Sequence, residues 1–165
     1  MASEPLQGPI LERSNPVLNI VLYQPEIPQN TGNIGRTCVA MNAKLWIVRP
    51  MGFRLDSTHV QRAGLDYWSD LNLEIVDSWD DLVAKVPTKR LWFFSKFAKK
   101  NYTEVIYHSG DALVFGSESN GLPESLRLEN DAALLGIPMP GPVRSLNLSV
   151  SVGIAAYEAF RQIHL

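Results

Sequence analysis

The chain has 165 residues, of which 45% are hydrophobic and 19% charged, and its net charge is −2. That is length enough for one domain with a true core, and too ordinary a mixture for disorder. The slight acidic balance excludes a protein that is basic all over and coats nucleic acid, while leaving room for a local basic face.

The first stretch, Met1 to Pro16, carries three prolines and no apolar signal core, so it reads as a loose arm ahead of a single domain over 17–165. Leu18 to Tyr23 is an apolar run of strand length. Gln24 to Gln29 holds two prolines and reads as a loop, with a helix starting at Asn30 or Thr31 and running through Arg36 to about Met41. Lys44 to Val48 is a second strand, ended by Arg49-Pro50. Asp56 to Gly64 reads as a short helix and Leu73 to Val76 as a third strand. Ser78-Trp79-Asp80-Asp81 has the spacing of a capping box and opens a helix to about Val86. Further strands are expected at Arg90 to Phe94, Ala112 to Phe115 and Ala132 to Ile137, before a last helix from Leu148 to Ile163.

Strands alternating with helices predict an α/β domain with a mainly parallel sheet flanked by helices. Such sheets bind ligands beyond the carboxyl ends of their strands. Two Gly- and Ser-rich segments fall there, Leu113 to Pro123 with its loop directly after Phe115, and Ile137 to Ser151 with its loop directly after Ile137. The last helix is apolar around well over half its circumference, which fits either a dimer seam or a helix buried inside a monomer.

Several chemistries are absent from the pattern. His59, His108 and His164 are scattered and Cys38 has no Cys or His nearby, so no metal is expected. The single cysteine suits a reducing cytoplasm, and no apolar run reaches membrane-span length. There is no Gly-x-x-x-x-Gly-Lys-Ser/Thr loop, no Gly-x-Gly-x-x-Gly and no Gly-x-Ser-x-Gly elbow.

Three segments taken together are more specific. They are Asn30-Thr31-Gly32-Asn33-Ile34-Gly35-Arg36-Thr37, Phe115-Gly116-Ser117-Glu118-Ser119-Asn120-Gly121-Leu122, and Ile137-Pro138-Met139 through Arg144-Ser145-Leu146-Asn147-Leu148-Ser149. In this order they resemble the three motifs of the SPOUT-class RNA 2′-O-ribose methyltransferases. The short chain, the Gln24 to Asn30 lead-in and Arg62-Ala63-Gly64-Leu65-Asp66-Tyr67 are most similar to the small branch that methylates the wobble ribose, cytidine or uridine, of tRNA.

The resemblance implies a carboxyl-terminal deep trefoil knot, an S-adenosyl-L-methionine pocket in the knot loops, and a homodimer through the last helix. It implies cofactor contacts at Phe94, Gly116, Ile137, Ser145, Leu146 and Asn147. Gly116 has a physical rationale in that a side chain there would push the ligand off the backbone, while Ile137 also fits a strand end and Ser145 or Asn147 a helix cap. It places Arg36 by the target nucleotide. A guanidinium stays protonated to above pH ~12 and makes an awkward base, so we assign Arg36 to gripping a phosphate and orienting the 2′-hydroxyl. Asn33, Glu118, Asn120, Arg144 and Tyr157 are candidate contacts to the anticodon stem-loop of tRNA; Glu118 and Asn120 also fit a bracing or turn role, and Tyr157 a dimer seam or the core. Arg49, Arg54, Arg62, Lys96, Lys99 and Lys100 are candidates for a tRNA face. The same chemistry on ribosomal RNA or another tRNA site, and a non-catalytic RNA-binding scaffold, are the alternatives.

Overall fold

The computed structural model describes residues 15–55 and 66–164. The expected helix over 56–64, Arg62 and nearly all of the amino-terminal arm lie outside the described residues. The strands are β1 (Asn19–Tyr23), β2 (Lys44–Val48), β3 (Leu73–Val76), β4 (Leu91–Phe94), β5 (Lys100–Asn101), β6 (Ala112–Phe115) and β7 (Leu134–Gly136). The helices are α1 (Pro28–Met41), α2 (Trp79–Lys85), α3 (Glu124–Glu129) and α4 (Leu148–His164). The strands form one seven-stranded sheet in the order β3-β2-β1-β6-β4-β7-β5. Every paired neighbour is parallel. The fold class is α/β, as the alternation of elements predicts.

Parallel strands covered on both faces are near-continuous apolar runs; β6 is apolar throughout, and β1 and β2 are so after their first residues, Asn19 and Lys44. Successive side chains then sort to opposite faces. Ile20, Leu22, Leu45, Ile47, Leu113 and Phe115 pack with Ile34 and Cys38 of α1 and with Val152, Ala155, Ala156 and Ala159 of α4. Val21, Trp46, Val48, Phe93 and Val114 pack with Leu82 of α2 on the other face. The alanine stripe of α4 lets that helix lie close against α1. Burial pushes the Cys38 thiol well above its ordinary range, so it is inert packing and no nucleophile.

Two expectations are corrected. The first helix begins at Pro28, two residues before Asn30, with proline in its first turn. Proline suits that position because its missing N–H would be unpaired there anyway. The last helix buries one stripe and leaves Val150 and Tyr157 on an exposed face, so it is not enclosed within one chain. Among the described residues no helix is long and apolar enough to cross a membrane.

Asp111 precedes β6 and is 1% exposed. Its carboxylate accepts from Arg90 Nε at 2.7 Å, Trp92 Nε1 at 2.9 Å and the His108 backbone N–H at 3.0 Å. It fastens the start of β4 to the start of β6, and so fixes the register of the two strands that end at the site. Asp111→Ala orphans three donors and should lower unfolding free energy by about 2 kcal/mol in chemical denaturation. A variant as stable as the parent contradicts this account.

Candidate active site

The carboxyl ends of β4, β6 and β7 open into a cavity of about 410 Å³. The segments that follow these strands wall it, with the start of α4 closing one side. Phe94, Gly116, Ile137, Ser145, Leu146 and Asn147 all line it, and so do Glu118 and Asn120. Asn33, Arg36, Arg144 and Tyr157 do not.

Phe94 and Phe115 occupy paired positions on β4 and β6. Their rings stack at 4.6 Å with 15° between planes, and both are buried. The Phe94 ring is therefore packed into the core at the point where the strand meets the cavity.

Gly116 is required for a reason besides the one the sequence suggests. A Cβ there would sit 2.0 Å from the Gly121 carbonyl carbon and 2.1 Å from the Leu122 nitrogen. The collision is with the returning limb of its own loop, before any ligand is considered. That loop is a tight turn in which Gly121 N–H donates to the Ser117 carbonyl at 2.9 Å. Gly121 has φ +66°, a conformation glycine adopts at little cost. Asn120 donates its backbone N–H to Ser117 Oγ, so its backbone serves the turn, and the residue is exposed where it lines the cavity.

Glu118 is turned toward α1. Its carboxylate accepts from the backbone N–H of Glu26 at 2.7 Å and of Ile27 at 3.1 Å, and from Asn30 Nδ2 at 3.2 Å. The helix has no side-chain cap of its own and no acidic residue in its first turn. Glu118 supplies both the acceptor and the negative charge from across the fold. Glu26 returns the contact, accepting from the Ser119 N–H and hydroxyl. Asn30 then carries the link onward, since its Oδ1 accepts from Asn147 Nδ2 at 2.9 Å. Asn147 Oδ1 in turn accepts from Ser149 and Val150, capping the start of α4. One chain of hydrogen bonds thus joins all three motif segments. Glu26 and Asn30 are not singled out by the sequence, where nothing marks them except their places in the lead-in and at the start of the first motif.

Arg36 lies two turns along α1, exposed, with its guanidinium 4.8 Å from the centre of the Tyr67 ring. Tyr67 belongs to a single-turn helix, Asp66–Asp70, and its hydroxyl donates to the Gly32 carbonyl at 2.6 Å. Burial raises the Tyr67 hydroxyl above its ordinary range, against an opposing effect of Arg36. The ring is held by α1 and in turn steadies the arginine. Gly35 makes room for this, as its Cβ would meet the Trp68 ring at 3.1 Å. Asn33 is exposed on the same helix. Arg144 is exposed in the segment before α4. Tyr157 is half exposed on α4, with Phe160 6.1 Å away.

The SpoU rRNA Methylase family model matches residues 17–157. The chain is 39% identical over 147 residues to the tRNA (cytidine(34)-2'-O)-methyltransferase of Methylovorus glucosotrophus, spanning 88% of this chain and 96% of that protein. It is 42% identical over 148 residues to the protein of the same name from Saccharophagus degradans, spanning 89% and 96%. A solved structure described as giving structural insights into the 2-OH methylation of C/U34 on tRNA aligns with TM-score 0.82 at 50% identity, over 88% of this chain and 95% of that one. With the motif segments joined around one cavity and this likeness over most of its length, the chain belongs to the SpoU rRNA methylase family.

Proposed function

We propose that the protein transfers a methyl group from S-adenosyl-L-methionine to the ribose 2′-hydroxyl of the wobble cytidine or uridine in tRNA. The observation that carries the reading is the cavity at the strand ends, lined by all six residues expected for the cofactor. Its volume falls in the range of small-molecule sites. Apolar Leu135, Ile137 and Leu146 suit the flat faces of an adenine, and Ser117, Ser145 and Asn147 add polar groups. The relatives at about two-fifths identity named for this reaction support the choice of the wobble ribose of tRNA over another RNA.

Bound in the cavity, S-adenosyl-L-methionine supplies a methyl group on a sulfonium that departs as a neutral thioether. The protein's own work is then placement and exclusion of water, worth up to roughly 7–11 kcal/mol when geometry is ideal. Arg36, steadied by Tyr67, holds a phosphate next to the target and turns the 2′-hydroxyl inward. Its forked donors suit that task, and no side chain is assigned as general base. Glu118, Asn30 and Asn147 fix the distance between α1 and the cavity wall, and their polar groups are engaged with one another rather than aimed at RNA.

We also read the exposed stripe of Val150 and Tyr157, with Ile154 between them, as the seam of a homodimer. The same reading carries the family's trefoil knot in the loops around the cavity, and a cytoplasmic place of work where tRNA is met. The test is to incubate the protein with S-adenosylmethionine and unmodified tRNA and to map the nucleosides by mass spectrometry. A 2′-O-methyl group at the wobble position is expected. Total RNA treated alike separates this from a ribosomal target, and a map without the wobble methyl overturns the reading.

A further inference from the structure

Beyond the cofactor cavity lies a second, shallower groove of about 530 Å³, sharing Lys96, Ile137 and Met139 with it. Lys96, Lys99, Lys100 and Arg144 line this groove, and no carboxylate does. Among the described residues none of Lys96, Lys99 and Arg144 has an acidic partner. Lys100 is partly spent, donating to the Ala132 carbonyl at 3.2 Å. Four cations have therefore gathered without counter-charges on a chain whose net charge is −2.

Phe97, next to Lys96 in the chain, lines the cofactor cavity and is 59% exposed. The Lys96 ammonium is 5.3 Å from its ring centre and the Arg127 guanidinium 4.3 Å. An uncovered aromatic face costs hydration free energy, and two cations fix its orientation. Cations alone would suit any polyanion. An aromatic ring set among them selects one whose flat bases are free to stack, and bases are free only where the strand is unpaired.

We propose that this surface binds a single-stranded RNA segment next to the cofactor cavity, with a base stacked on Phe97 and neighbouring phosphates on Lys96, Lys99 and Arg144. The proposal rests on the RNA-methyltransferase reading and adds to it a second hold on the RNA, separate from Arg36.

The test uses the full chain and a fluorescently labelled anticodon stem-loop oligonucleotide, followed by anisotropy across a salt series. Combined Lys96→Gln, Lys99→Gln and Arg144→Gln should flatten the slope of log affinity against log salt by about 2, from roughly 0.7 per phosphate contact. Phe97→Ala should weaken RNA binding by about tenfold, and Phe97→Tyr should restore it. Affinity for S-adenosylhomocysteine by calorimetry should stay within about twofold in a Lys99→Gln, Arg144→Gln double variant, since neither residue lines the cofactor cavity. An unchanged salt slope and RNA affinity overturn the proposal, including the case in which neither parent nor variant binds. Loss of cofactor affinity with RNA binding intact overturns it too, by giving Phe97 to the adenine. A shift in sedimentation mass with RNA binding intact assigns the face to a second copy and also overturns it. The nucleoside map of the parent protein judges the wobble reading separately.

Discussion

Arg36→Ala should lower methyl transfer by about a thousandfold, or ~4 kcal/mol on the barrier, while leaving affinity for S-adenosylmethionine unchanged. The split follows from position. Arg36 is exposed on α1 and is absent from the cavity lining, so nothing in the cofactor site depends on it. Its contact with Tyr67 steadies the guanidinium, whose forked donors suit a phosphate. Arg36→Lys keeps the charge and loses the fork, and should recover no more than about a tenth of the parent rate. Tyr67→Ala removes only the support, worth about 0.5–1 kcal/mol at an exposed site, and should slow transfer by a few-fold. Single-turnover rates and calorimetry check all three. A large loss of cofactor affinity in Arg36→Ala would move the arginine into the cofactor site and overturn its assigned role.

The sheet was largely legible because its chemistry is local. A parallel strand buried on both faces is a short apolar run between polar breaks, and β2 and β6 match their predicted limits, as does the partly buried edge strand β3. The helix α2 announced itself through Ser78, whose hydroxyl accepts from the Asp81 N–H at 3.1 Å. What escaped has no local signal. The two-residue strand β5 and the six-residue helix α3 are too short to show a period. The start of α1 was hidden because Pro28 reads as a breaker and because the cap is brought by Glu118, 91 residues away from Ile27. The site shows the same division. Motif composition pointed to residues that line the cavity, yet missed a further reason for Gly116, since the Gly121 backbone that forbids a side chain there comes close only once the loop has closed. Tyr67 as the prop of Arg36 could be inferred only with the helix already folded against it.

Glu118→Ala tests whether that remote cap is what joins the RNA-handling helix to the methyl-donor pocket. The substitution orphans two backbone N–H groups and the Asn30 amide, and takes a negative charge from a helix start that has no other. Charge-assisted hydrogen bonds contribute about 1.5–3 kcal/mol each and do not simply add, so a loss of about 3 kcal/mol in stability is expected. For a chain of this size that corresponds to a fall of roughly 6–12 °C in Tm. Activity should drop by about a hundredfold, because α1 and the cavity wall lose their fixed spacing and small misplacement of reacting groups is expensive. Glu118→Gln keeps an acceptor oxygen and loses the charge, so it should cost only about 1 kcal/mol. Coupling provides the stricter check. Asn30 touches both Glu118 and Asn147, so Asn30→Ala and Asn147→Ala should be non-additive by about 1 kcal/mol in a double-mutant cycle on cofactor affinity. Additive effects, together with parental cofactor affinity in Glu118→Ala, would mean the three segments merely sit side by side. Coupled effects would make the chain of hydrogen bonds the means by which this fold holds an RNA ribose and a methyl donor in register.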